Sequence, residues 1–63
     1  MLNYYLFKST SHAMKAYRLL TKALVLCKLI LVPRHLSSDC GVCIESETEL
    51  EPYLKDMEYE KRL

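Results

Sequence analysis

The spacing of apolar residues in the first part of the chain predicts a strand followed by a helix. Tyr4–Lys8 is a short aromatic and apolar run, which favours a strand. The hydroxyl side chains of Ser9–Ser11 are suited to cap a helix, and apolar residues then recur at helical spacing. No glycine marks the end of this helix, because Leu24 occupies the position where a left-handed capping residue is expected. The apolar positions of the helix are Ala13, Ala16, Tyr17, Leu20 and Leu24.

The middle of the chain predicts a β-hairpin. Lys28–Val32 is a continuous β-favouring run, and Pro33 ends it because proline lacks a backbone donor and has a fixed φ. Gly41–Glu45 alternates apolar and other residues with the period of a half-buried strand, which points Cys43 opposite to Val42 and Ile44, toward the open side of the sheet. Arg34–Asp39 is polar and reads as a loop. The second and third strands therefore form a hairpin whose connection carries Cys40.

The last part of the chain predicts a second helix, followed either by a short strand or by a continuation of that helix. Thr48 followed by Glu51 fits a capping box, and Pro52 is compatible with a first helical turn. After Asp56 the residues alternate as a strand would, but the helical face also continues to Met57; we favour a short terminal strand. The apolar positions of the second helix are Leu50, Tyr53, Leu54 and Met57.

These elements predict an α+β fold of one domain over residues 1–63. The order β-α-β-β-α, with a possible short C-terminal strand, indicates a two-layer open-faced sandwich in a ferredoxin-like arrangement, with both helices on one face of the sheet. The first two strands are apolar on both faces, and a chain of 63 residues builds only a thin core. We therefore expect a homodimer, or a complex with another protein, that covers the open sheet face.

Composition and charge exclude several classes of function. Nine basic and eight acidic residues give a net charge of +1, and the bases are scattered, so no nucleic-acid interface is predicted. The first residues lack the basic region and cleavage site of a secretory signal. The longest apolar stretch, Leu19–Val32, is too short and too interrupted to span a bilayer. We expect a cytoplasmic protein with no membrane partner, in which the three cysteines stay reduced unless they take part in chemistry.

The segment from Pro33 to Cys43 resembles a known family. It reads Pro-Arg-His-Leu-Ser-Ser-Asp-Cys-Gly-Val-Cys. Its Pro-Arg, Ser-Ser and Cys-Gly pairs, together with Phe7–Thr10, Ala13 and the Leu19-Leu20 pair, are similar to the selenium/sulfur-carrier-like family, small proteins that form a domain of unknown function. The resemblance extends to about Glu47. The chain departs from the family at Leu24, where glycine is frequent, and in the tail after Thr48, which is shorter.

The resemblance implies that Cys40 holds sulfur or selenium as a persulfide-type adduct, taken from a donor protein and passed to an acceptor protein. The residue types of the loop favour this chemistry independently, since a thiol reacts as the thiolate, which needs exposure and nearby positive charge or donated hydrogen bonds. Asp39 opposes it, because an adjacent carboxylate raises the pKa of a thiol. The residues that would support Cys40 are Arg34, His35, Ser37, Ser38 and Gly41.

Three interpretations of the loop remain open. In the first, the protein is a carrier without enzymatic activity and without a cofactor. In the second, it is a protein-binding module that uses the open sheet face. In the third, Cys43 acts as a resolving thiol for Cys40 in a thiol–disulfide cycle, although these residues enter a strand and not a helix as in thioredoxin-like proteins. A metal site built from His35, Cys40, Cys43 and Cys27 is not predicted, because a single CxxC is poor support for zinc.

Overall fold

The computed structural model describes residues 2–36 and 41–62. In these residues the chain forms one α-helix and a four-stranded antiparallel sheet, and the predicted α+β class with an open-faced, two-layer architecture is confirmed. The elements are β1 (Asn3–Leu6), α1 (Thr10–Lys22), β2 (Lys28–Leu31), β3 (Val42–Ser46), a 3-10 turn (Glu51–Tyr53) and β4 (Glu60–Arg62).

The strands lie in the order β2-β3-β1-β4, and every neighbouring pair is antiparallel. Because β3 is antiparallel to both of its neighbours, β1 and β2 run in the same direction with β3 between them. α1 connects these two strands, which makes a split β-α-β unit of the kind found in a ferredoxin-like arrangement. β2 and β3 form the predicted hairpin, and the terminal strand predicted after Met57 is present as β4.

α1 covers one face of the sheet, which we call the helix face. Directly opposed residues of antiparallel strands lie on the same face, and Tyr5, Ile44 and Leu29 are opposed in this way across three strands. The helix places its buried residues against them. The buried core consists of Tyr5, Phe7, Ala13, Ala16, Leu20, Ile44, Leu50 and Leu54.

The predicted second α-helix is wrong: only the single 3-10 turn Glu51–Tyr53 forms there. The two residues of the expected capping box have other partners. The Thr48 amide donates to Ser46 Oγ at 3.0 Å, and Glu51 Oε1 accepts from the Tyr5 hydroxyl at 2.8 Å. Pro52 cannot donate a backbone hydrogen bond. The segment is therefore held to the sheet by side chains and does not build a helix of its own.

The end of α1 adopts a left-handed cap without a glycine. Leu24 has a φ of 60°, and its amide donates to the Thr21 carbonyl at 3.1 Å. The Val25 amide donates to the Leu20 carbonyl at 3.0 Å, which completes the two hydrogen bonds of a Schellman motif. The Leu24 side chain is 91% exposed, so it buries almost no apolar surface that could offset the strain of its positive φ.

Replacing Leu24 by glycine should therefore stabilise the protein, because glycine adopts a positive φ without strain. Glycine also loses more conformational freedom on folding, which reduces the expected net gain in the free energy of unfolding to about 0.5–1 kcal/mol. Urea denaturation followed by circular dichroism measures the change. Leu24→Ala is the matched control: it removes the same exposed side chain but keeps the Cβ atom, so its stability should stay close to that of the natural chain. Equal stability of the glycine and alanine variants would contradict this explanation.

Candidate functional site

The connection between β2 and β3 begins and ends at a hydrogen-bonded pair. The Val32 amide donates to the Gly41 carbonyl at 3.1 Å, one step beyond the last strand pair. Gly41 has a φ of 77°, a value that favours glycine, and a Cβ atom placed there would meet no atom within 4 Å. The backbone conformation therefore favours glycine at this position.

The first residues of the connection fold over the side of the sheet that α1 does not cover. The Leu36 amide donates to the Pro33 carbonyl at 3.0 Å, which closes a turn with Arg34 and His35 at its centre. The His35 ring contacts the Tyr4 ring edge-on, with centroids 6.2 Å apart. Tyr4 belongs to β1, which is separated from β2 by β3, so the turn reaches across β3. Nothing in a local sequence pattern pairs residues 31 positions apart, so this contact could not be predicted from the sequence.

Cys43 lies at the centre of this second sheet face. It is directly opposed by Leu6 on β1 and Ile30 on β2, and it points away from the helix face as predicted. Its side chain is completely buried, and Leu6 is 5% exposed. The expectation that this whole face needs a partner for cover is therefore wrong at its centre, because the chain itself buries these residues. The open rim of the face is charged, and consists of Lys28, Glu45, Glu60 and Arg62.

The remaining predicted site residues divide into two groups. Arg34 lies in the turn, where its side chain is exposed. Ser37, Ser38, Asp39 and Cys40 lie outside the described residues. The structure thus places His35, next to Arg34 in the turn, against Tyr4 on the same face of the sheet as Cys43.

Cys27 lies on the other side of the sheet from Cys43. Its half-buried side chain packs against the core under α1, and burial raises the pKa of its thiol above the ordinary value of 9.0. Cys27 and Cys43 consequently cannot share a metal ion. Within residues 2–36 and 41–62, no group of three or more histidine, cysteine or carboxylate side chains could hold one.

The model of the family described as "Putative Se/S carrier protein-like" matches residues 3–63 of the chain. The chain belongs to this family. The match runs beyond Glu47, where the resemblance read from the residues ended, and includes the 3-10 turn and β4. No curated protein and no solved structure matched the chain. The part of the chain that the structure describes has no helix of the length and apolar character needed to cross a bilayer.

Proposed function

We propose that the protein is a stoichiometric carrier of sulfur or selenium, and not an enzyme, in which Cys40 bears the transferred atom. Membership of the Se/S carrier family is the observation that carries this proposal. Carrier chemistry implies a donor protein and an acceptor protein as partners. The supporting groups are those of the β2–β3 connection, with the Arg34 side chain exposed in the turn and available to stabilise a thiolate or persulfide anion.

The burial of the other two cysteines supports Cys40 as the carrier thiol. Cys43 has no exposed surface, and Cys27 is half-buried with a raised pKa. A donor protein must bring its sulfur within bonding distance of the attacking thiolate, which a buried thiol does not permit. Of the three cysteines, Cys40 is therefore the one proposed to meet a donor.

Loading and transfer are both thiolate exchange reactions, so no added oxidant is needed. In loading, the Cys40 thiolate attacks the outer sulfur of a donor persulfide. A new S–S bond forms on Cys40, the S–S bond of the donor breaks, and the donor leaves as a thiolate. In transfer, an acceptor thiolate attacks the outer sulfur held by Cys40, and the Cys40 thiolate leaves. The same steps apply to selenium.

The burial of Cys43 weighs against the alternative of a Cys40–Cys43 redox cycle. Residues 40 and 43 lie at positions i and i+3 around the start of β3, and a disulfide requires Cβ atoms within about 4.5 Å. A resolving thiol must also reach the mixed disulfide that forms on the first cysteine. Cys43 is instead enclosed between β1 and β2 at the centre of the sheet.

Incubation with inorganic polysulfide, followed by intact-mass measurement, tests the carrier proposal. We expect the natural chain and the Cys43→Ser variant to gain sulfur to the same extent, and the Cys40→Ser variant to gain none. Cyanide, which removes the outer sulfur of a persulfide, should return the loaded protein to its starting mass. If Cys43→Ser abolishes stable loading, or if Cys40→Ser loads normally, the proposal is wrong.

A further inference from the structure

The two edges of the sheet differ in how they are protected against pairing with another strand. β2 lies at one edge and β4 at the other. β4 is three residues long and all three are charged, features that prevent the addition of a strand. β2 reads Lys-Leu-Ile-Leu, with one charge and no proline. Among the described strands, β2 is therefore the edge that is open to pairing.

The hydrogen-bond pattern shows which backbone groups of β2 point out of the sheet. The Val32 amide donates to the Gly41 carbonyl of the β3 side. Hydrogen-bonded and non-hydrogen-bonded pairs alternate along an antiparallel ladder, so Ile30 also bonds to β3. Leu29 and Leu31 lie between these positions. Their N–H and C=O groups therefore point outward from the edge.

The side chains of β2 add an apolar surface to this edge. Leu31 lies on the helix face but beyond the cover of α1, and it is 78% exposed. Leu29 and Ile30 are half-buried on opposite faces of the strand. A strand edge with outward backbone groups and an exposed leucine is suited to bind a second extended strand.

We infer that β2 pairs in antiparallel orientation with β2 of a second copy, around a twofold axis that passes by Ile30. In this register Leu29 of each copy lies opposite Leu31 of the other, so all the outward N–H and C=O groups of these residues are bonded. Each exposed Leu31 then packs beside a Leu29 on the helix face. The two Ile30 side chains meet on the opposite face, at the closely spaced non-hydrogen-bonded position.

The charges of β2 do not oppose pairing with a second copy. Lys28 is the one charged residue of the strand, and in this register it lies opposite Val32 of the second copy. The two Lys28 side chains are then four strand positions apart, about 13 Å, which exceeds the Debye length of about 10 Å at 0.1 M salt. Glu45, directly opposite Lys28 on β3, supplies a countercharge within each copy. Self-pairing therefore brings no like charges together.

This interface lies at the edge of the sheet and not on its open face, and it does not depend on the chemistry of Cys40. Since the paired strand is only four residues long, the buried area falls among the small interfaces of transient complexes. The association should accordingly depend on protein concentration in the micromolar range.

Sedimentation velocity over about 1–500 µM tests the inference on the natural chain and two variants. Leu31→Lys places a charge on the paired edge and should weaken dimerisation at least tenfold. Leu24→Lys is the matched control, because it makes the same change at a leucine that is 91% exposed but lies outside the strand. It should dimerise like the natural chain. A monomeric natural chain over this range, or equal weakening by both substitutions, would overturn the inference.

Amide hydrogen exchange of the natural chain provides a second measurement that needs no variant. The outward amides of Leu29 and Leu31 should exchange more slowly as the protein concentration rises, whereas the amides of Arg34 and His35 in the turn should not change. If the dimer forms while the Leu29 and Leu31 amides keep their monomer rates, the copies associate elsewhere and the assignment to β2 is wrong.

Discussion

Replacement of Tyr5 by phenylalanine should lower the free energy of unfolding by about 1–3 kcal/mol, although only one oxygen atom is removed. The Tyr5 side chain is fully buried. Its hydroxyl donates to Glu51 Oε1 at 2.8 Å and accepts from the buried Leu50 amide at 2.9 Å. Phenylalanine keeps the ring but leaves the Leu50 N–H without its acceptor. An unsatisfied buried donor costs more than the hydrogen bond contributes, because its desolvation is no longer offset.

The charges beside Tyr5 make its hydroxyl part of a larger network. Lys61 Nζ lies 2.7 Å from Glu51 Oε2 and 6.0 Å from the centre of the Tyr5 ring. The hydrogen bond from Lys61, with that from Tyr5, lowers the pKa of the Glu51 carboxyl from 4.5 to about 2. Burial raises the pKa of the Tyr5 phenol, which remains a donor at neutral pH. Removal of the hydroxyl should thus loosen the whole contact between the 3-10 turn and the sheet.

Tyr53→Phe is the matched control for this substitution. Like Tyr5→Phe, it removes a phenol oxygen, and Tyr53 belongs to the 3-10 turn that the Tyr5 hydroxyl contacts. However, Tyr53 is 42% exposed and its hydroxyl has access to water. Its stability should stay within about 0.5 kcal/mol of the natural chain. Urea denaturation followed by circular dichroism measures both variants. A chain of this size has a free energy of unfolding of only about 3–9 kcal/mol, so the expected loss in Tyr5→Phe is a readily measured fraction of it. Equal stability of the two variants would show that the Tyr5 hydroxyl does not anchor the turn.

Local patterns were sufficient to predict the elements that local interactions determine. Ser9 caps α1 through its hydroxyl, which accepts from the His12 amide, as the hydroxyl run before the helix indicated. The alternation after Met57 correctly predicted β4. Here Tyr59 and Lys61 point to the core side of the sheet, while Glu60 and Arg62 point away from it. The strand ends differ by one or two residues from the predicted ones: β1 begins at Asn3, and β3 extends to Ser46.

The errors arise where residues distant in the sequence compete for the same groups. Thr48 and Glu51 have the spacing of a capping box, but the Thr48 amide is hydrogen-bonded to Ser46 and the Glu51 carboxylate to Tyr5. The distance of 46 residues between Tyr5 and Glu51 leaves no sign in a local pattern. Likewise, alternation correctly predicted the direction of Cys43 but not its burial, which depends on residues distant in the sequence, such as Leu6 directly opposite on β1.

The second large effect expected is a difference in reactivity between the three cysteines. Near neutral pH, Cys40 should react with iodoacetamide at least tenfold faster than Cys27 or Cys43. Cys43 is buried, and the raised pKa of Cys27 lowers the fraction present as thiolate. Each unit by which a thiol pKa exceeds the pH reduces the thiolate fraction about tenfold. Burial therefore disfavours reaction at Cys43, and a low thiolate fraction disfavours reaction at Cys27.

Arg34 is expected to contribute to this reactivity. Arg34→Ala should slow the alkylation of Cys40 about two- to threefold, the effect of a pKa rise of a few tenths of a unit on loss of one neighbouring positive charge. Arg18→Ala is the matched control, because Arg18 is an exposed arginine on α1, on the other side of the sheet. It removes the same charge and should leave the rate at Cys40 unchanged. Equal rates in the two variants would exclude Arg34 from the site.

Site-resolved alkylation kinetics of the natural chain is the measurement that tests the central claim most directly. The folded protein is labelled for increasing times at neutral pH, unfolded, labelled with an isotopically distinct reagent, and digested, so that mass spectrometry gives a rate for each cysteine. The account predicts that Cys40 is labelled first and that Cys27 and Cys43 follow at least tenfold more slowly. If Cys40 is the slowest of the three, it is not the carrier thiol.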